Sequence, residues 1–421
     1  MDILKDYEFQ KIFLNKELSK TTLENYTLTA KDFCKAIGKS YTEIVCELKE
    51  QQYDKIEDDK IIRYDAEQGL TKEYITQYVI YLKNKKNKNS TINVKMVQLR
   101  TLLKDSGIIM PRWKRLTEDN DKKNILLKKD LKYIMDISNI HQIALFTFIA
   151  STGIRISDVL NFKIEDYIIA TQKYHNCVTL NDFLQNATDD MMGFFEFTPS
   201  KTRKSGLVCK VCNSKESNKY ILMSLKERVQ LSNNQLTETD YLFGSREKQY
   251  KGRFTRQGIN SIFSLKEKKL KEKKVKEIQL QYTNKEITQK EYKEKLEKIP
   301  KFTPHSLRHY FISHLRASNI NMQVSLLMEA HSSPNKMDKH YVGENEELFS
   351  EENIREEYKK LLKSVTITTS IDIDEYEDLL ETKKLYNNQL KKNEDLENKI
   401  NELCKIYEKI SENSIIHKLN L

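Results

Sequence analysis

The chain has 421 residues, 38% hydrophobic and 32% charged, a length that predicts two or three folding units with ordinary cores beneath a polar surface. Only 10 glycines and 5 prolines occur, which excludes collagen-like and turn-rich all-β architectures and favours helices. A formal net charge of +10 points to a polyanionic partner, and no stretch approaches the ~18 apolar residues of a membrane span.

Residues 1–6 lack the basic segment and apolar core of a secretory signal, so the chain reads as cytoplasmic. Residues 1–110 then read as one domain of four to five helices. Ser19-Lys20-Thr21-Thr22 can cap a helix on which Leu23, Tyr26, Leu28, Phe33 and Ile37 recur at helical spacing, ended by Gly38. A second helix is expected over 41–50, and 51–65 reads as a charged loop. Thr71-Lys72-Glu73 opens a third helix carrying Ile75, Tyr78, Val79 and Leu82. Ser90-Thr91 opens a fourth, with Ile92, Val94, Val97, Leu99 and Leu102 before Gly107. Residues 111–123, starting with Pro111-Arg112-Trp113, read as a linker.

A second domain is expected over 124–364. His141 to Ile149 is nearly apolar all round and predicts a buried central helix. Stretches 194–198 and 207–211, rich in aromatic and β-branched residues, predict a hairpin whose turn, 199–206, carries Lys201. Cys209 and Cys212 have C-x-x-C spacing, with His175 and Cys177 as conceivable further zinc ligands. On a strand, residues three apart face opposite sides, so buried reduced thiols without metal are preferred. A lysine-rich helical insertion is expected over about 265–300: seven lysines face two glutamates in 265–276, followed by a helix over 278–299. Its face is either solvated or laid along DNA. The tail, 365–421, has Leu379, Tyr386, Asn393, Ile400 and Tyr407 at heptad a and Leu396, Leu403 and Ile410 at d, a coiled-coil pattern. The alternative is a helix folded back on its own domain.

Four stretches carry reactive groups: Thr152-Gly153-Ile154-Arg155, Ser200-Lys201-Thr202, His305-Ser306-Leu307-Arg308, and the pair His331 and Tyr341. Two arginines, a lysine and two histidines suffice to surround one phosphate, and a tyrosine can attack it without metal or ATP. Arginine suits this work because its planar fork donates two parallel hydrogen bonds to phosphate oxygens. His305 and Arg308 share a helix face three residues apart, behind a helix-starting Pro304. Arg155 with Asp158, taken alone, would read as a surface ion pair.

In order and in local pattern the four stretches resemble the active site of the tyrosine recombinase/integrase family, the phage-type integrases. The resemblance spans 17–345 and matches the family's H-x-L-R-H box at His305 to His309. It implies a mainly α fold with a small β-hairpin (α+β): a helical core-binding domain, a catalytic domain and, here, the coiled-coil-like tail. It implies catalytic roles for Arg155, Lys201, His305, Arg308, His331 and Tyr341. Asp158, in the family's R-x-x-[DE] pattern, would hold Arg155. Tyr341 would be the nucleophile, His305 the nearest group to accept its proton, and Lys201 the acid for the leaving 5′-oxygen, with Lys204 or Arg203 as alternatives. No cofactor is implied. Glu329 and Ala330 replace the usual leucine and glycine before His331, and Tyr341 follows it at a long spacing of ten residues.

The implied function is site-specific recombination of double-stranded DNA through a 3′-phosphotyrosyl intermediate, for integration or excision of a mobile element or provirus. A homotetramer on the synapse is implied, with 348–363 handed to a neighbouring protomer. The alternatives are a Xer-like dimer resolvase, a type IB topoisomerase and a non-catalytic DNA-binding protein of the same fold.

Overall fold

The computed structural model describes residues 2–117 apart from 15, 17, 54, 58, 59 and 63, then 124–244, 252–330, 347–368 and scattered positions between 389 and 400. The fold is mainly helical with small antiparallel sheets, as the sequence implies. Contacts divide the chain into two compact units, 1–122 and 123–421.

In the first unit, α1 (Tyr7–Phe13) starts at Asp6, whose carboxylate accepts from Phe9 N at 3.2 Å and also from Thr42 Oγ1 at 2.7 Å. One side chain thus caps α1 and ties it to α3 (Tyr41–Glu50), itself started by a Ser40–Glu43 capping box. Between them, α2 (Lys20–Ile37) begins at Ser19 and ends at Gly38, whose φ of +81° is glycine's to adopt. Residues 51–65 are not simply a loop: β1 (Lys55–Glu57) and β2 (Lys60–Ile62) pair antiparallel there. Strands of three residues are too short to leave a period-two signal among so many charges. With α4 (Leu70–Asn84) and α5 (Asn89–Asp105) the helices bury Phe33, Tyr78, Leu82, Met96 and Leu99; the Phe33 and Tyr78 rings meet edge to face at 5.4 Å.

In the second unit, α6 (Lys128–Asp136) leads to α7 (Ile140–Thr152), which from Ile143 to Thr152 is buried at every position, as its apolar circumference demands. The short α8 (Ile156–Val159), α9 (Ile164–Ala170) and α10 (Leu180–Asn186) follow. Then β3 (Phe194–Phe197) pairs with β4 (Cys209–Cys212), Phe194 opposite Cys212 and Phe197 opposite Cys209. Helices α11 (Lys215–Leu231) and α14 (Pro304–Ala317) pack on α7, and α15 (Met322–Glu329) on β4.

The lysine-rich stretch departs from the expected layout. A single helix, α12 (Arg256–Thr283), runs through it, and α13 (Gln289–Glu297) folds back with the Tyr282 and Tyr292 rings 4.9 Å apart. Phe263, Leu270 and Ile278 bury one stripe of α12. Lys274 pairs with Asp130 at 2.5 Å and Lys266 donates to Ile137 O, so part of the lysine content fastens α12 to α6 and its end.

The segment expected to pass to a neighbour also differs. It forms α16 (Glu351–Val365), seated on its own unit: Tyr358 Oη donates to Ser151 O at 2.7 Å and Arg355 to Met192 O at 2.5 Å, with Ile354 and Leu361 buried. Beyond it, the buried Glu216 carboxylate accepts from Ile367 N and Thr368 N, each at 2.8 Å. Nearly all of the heptad segment lies outside the described residues; Leu396 and Ile400, which are described, are helical and exposed. Among the described residues no helix is long and apolar enough to cross a membrane.

Candidate active site

The site is built on the C-terminal end of α7. Gly153 closes that helix at φ +63°, its N–H bonding to Ile149 O at 2.8 Å. A Cβ here would lie 2.2 Å from Phe311 Cδ1 on α14, so glycine is required both by the backbone and by the ring. The next residue but one, Arg155, is the N-cap of α8 and is half-buried.

Helix α14 begins with a capping box in which Ser306 N donates to Thr303 Oγ1 at 3.0 Å and Thr303 N to Ser306 Oγ at 2.7 Å, with Pro304 in the first turn. This places His305 in the exposed first turn, its ring 4.2 Å from that of His309, and turns Arg308 inward. The Arg308 guanidinium, 6% exposed, donates through Nη1 to Gly153 O and through Nη2 to Glu329 O at 2.5 Å. Burial first, then the Arg155 charge beside it, pulls Arg308 down to about 10, still protonated at neutral pH. Through its bond to Gly153 O, Arg308 is brought to the backbone two residues before Arg155, although the two arginines are 153 positions apart in the chain.

Asp158 does not do what the motif suggested. Its Oδ1 accepts from Ser200 N at 3.0 Å and from Ser200 Oγ at 2.5 Å, and no Arg155–Asp158 ion pair forms among the described residues. The carboxylate thus holds the start of the turn that carries Lys201. That turn is 3-10 helical over Ser200–Ser205 and closes at Gly206, and Lys201 is exposed on it. Ser200 had no sequence signal beyond its place before Lys201.

Beside the arginines, Cys209 donates to Met328 O at 3.7 Å, and burial pushes its thiol up to about 12. Cys212 is equally buried and likewise raised to about 12. Both cysteines of the C-x-x-C are therefore interior thiols. Both His175 ring nitrogens are engaged, one by Thr171 Oγ1 and the other by Cys177 N. No group of three or more His, Cys, Asp or Glu among the described residues could hold a metal ion. His331 and Tyr341 lie outside the described residues. A surface cavity of about 640 Å³ opens along β3, lined by Phe162, Ile169, Phe194 and Phe197, and shares no residue with the arginine cluster.

A model of the phage integrase family matches residues 124–347, more than half of the chain. The chain belongs to the phage integrase family. This phage integrase family member is also similar to solved structures. The XerA recombinase is 15% identical over 80% of this chain and 99% of its own, with a TM-score of 0.32. The Tn1549 transposon integrase in complex with transposon right end DNA is 15% identical over 76% and 99%, TM-score 0.42. A lambda integrase tetramer bound to a Holliday junction is 11% identical over 80% and 75%, TM-score 0.39. A comparison with curated proteins finds no match.

Gly153→Ala should destabilise the second unit by more than the ~1–3 kcal/mol of backbone strain alone, because the Phe311 ring must also move. Denaturant unfolding of the two proteins measures this; equal midpoints would show that the α7–α14 approach is not tight.

Proposed function

We propose that this member of the phage integrase family is a site-specific DNA recombinase that cuts and rejoins strands through a covalent tyrosyl phosphate, in the integration or excision of a mobile element. The observation that carries the reading is the buried Arg308 bonded to Gly153 O, two residues from Arg155. Two guanidinium groups repel one another, and an anion between them turns that cost into attraction. A scissile phosphate is such an anion, and its charge grows in the transition state, where the two forks bind it best.

In the proposed step the Tyr341 phenol oxygen attacks phosphorus and the bond to the 5′-oxygen breaks. The phenolic proton passes to His305, exposed at the start of α14, and the departing 5′-oxygen takes a proton from Lys201. A 3′-phosphotyrosine and a free 5′-hydroxyl result. The phosphodiester energy is retained in the new ester, so the reverse attack reseals the strand without ATP. His331 would complete the donors around the phosphate. The helical unit 1–122 serves as a core-binding domain, and the net charge of +10 supports a salt-sensitive grip on duplex phosphates. A homotetramer on two duplexes is the assembly the reaction needs. Because α16 is seated in cis, the heptads from Leu379 to Ile410 are the segment left to join protomers.

Incubated with DNA from its own genomic neighbourhood in EDTA, the protein should form a protein–DNA adduct, and Tyr341→Phe should bind duplex yet form none. An adduct from that variant would reject the nucleophile, and no adduct from either would reject the function. Lys201→Ala should cut slowly and be restored by a 5′-bridging phosphorothioate, since sulfur leaves without a proton. Rescue of Lys204→Ala instead would move the acid to that position. Removing 366–421 should lower the mass of the DNA-bound assembly in light scattering, and an unchanged tetramer would deny the heptads this role.

A further inference from the structure

Glu329, which stands where the family pattern has leucine, is the last residue of α15 and only 3% exposed. Its carboxylate is gripped two-pronged by Arg316 near the end of α14, Nε to Oε1 at 2.5 Å and Nη2 to Oε2 at 2.9 Å. Its main-chain carbonyl accepts from Arg308 Nη2, eight residues earlier on the same helix. One residue is therefore held at both ends by two arginines of α14. Arg316 Nη1 also contacts Met322 Sδ at the start of α15, at 3.4 Å, so its guanidinium bridges both ends of that helix. Ala330 next adopts φ +49°, a left-handed residue that closes α15 through its N–H to Leu327 O at 3.1 Å.

A buried carboxylate and a fork-shaped cation form a rigid pair, because two parallel hydrogen bonds fix orientation as well as distance. Only the carboxylate of this pair is buried, the Arg316 side chain being 42% exposed, and an ion pair screened by water on one side contributes little net stability, so its two-pronged geometry points to placement rather than strength.

We propose that Arg316 and Glu329 are a positioning pair: by pinning the C-terminal end of α15 to α14 they fix the Glu329 carbonyl that orients the Arg308 guanidinium toward the phosphate. The inference rests on the reading of Arg308 as a phosphate ligand. In this role the pair acts through Arg308 and not on the substrate. Their effect passes through one carbonyl, so it must vanish when Arg308 is absent.

The test uses the full chain and measures adduct formation, duplex affinity and thermal unfolding. Arg316→Met should slow adduct formation by about 10-fold or more, as a displaced catalytic group does, with duplex affinity nearly unchanged. Arg316→Lys, which keeps the charge and loses the fork, should recover only part of the rate. In an Arg308→Ala background, Arg316→Met should cost nothing further, because the two act in series. An additive loss, or a loss accounted for by the unfolded fraction in both Arg316 variants, would overturn the proposal. Full-rate adduct formation by Arg316→Met would overturn the pair alone. A wild-type chain that forms no adduct would instead reject the function on which the pair depends.

Discussion

The seat of the Arg308 guanidinium is the constraint on which the site depends. A cation that is 6% exposed must replace its lost water, and here the replacements are two main-chain carbonyls, Gly153 O and Glu329 O. Gly153 caps α7 and Glu329 ends α15, so both carbonyls belong to the negative end of a helix. Partial charges of this kind hold a guanidinium without neutralising it. A carboxylate in the same place would have given a closed ion pair with nothing left for a ligand. Three helices are locked together by the arrangement, and its positive charge remains available beside Arg155.

The same logic explains which parts were legible in the sequence. The α7 helix announced itself because it is apolar on every face, and the start of α14 because Thr303, Pro304 and Ser306 form a local capping signal. Both features are written within one turn or one period. Features depending on distant partners were misread or passed over. Asp158 lies one turn from Arg155, so spacing alone paired them, yet the Ser200 N–H and hydroxyl, 42 positions away, take the carboxylate. The sequence marks Glu329 only as a departure from the family's leucine and gives no sign of its partner Arg316, since a glutamate before a turn ordinarily reads as exposed. The Asp6-capped α1, seven residues long, is too short for a periodic signal, although its Phe9 and Ile12 are buried. The lysine-rich α12 hid its apolar stripe of Phe263, Leu270 and Ile278 beneath charge.

The link from Asp158 to Ser200 has a mechanical meaning. Arg155 begins α8 and Asp158 sits in its first turn, while Ser200 begins the turn bearing Lys201. An exposed lysine on a short loop has wide rotamer freedom, and fixing the loop's first residue is the economical way to limit it. The tether makes the lysine's turn follow the element that carries Arg155, so any shift of one is imposed on the other. A purely surface Arg–Asp pair would have left the lysine turn independent of both arginines.

The C-terminal half of the unit obeys a comparable rule of anchoring through main-chain groups. Tyr358 reaches Ser151 O, just inside the end of α7, and Tyr310 of α14 reaches Ser364 O at 3.1 Å. Helix α16 is therefore bonded to α14, which carries Arg308, and to α7, which ends three residues before Arg155. Glu216 then receives Ile367 and Thr368, and burial raises its pKa despite those hydrogen bonds, so the interaction is retained against a desolvation cost. A carboxylate kept buried under that penalty makes a fixed departure point for the chain beyond Thr368. Ile367 and Thr368 are thus held by the same core that positions Arg155 and Arg308.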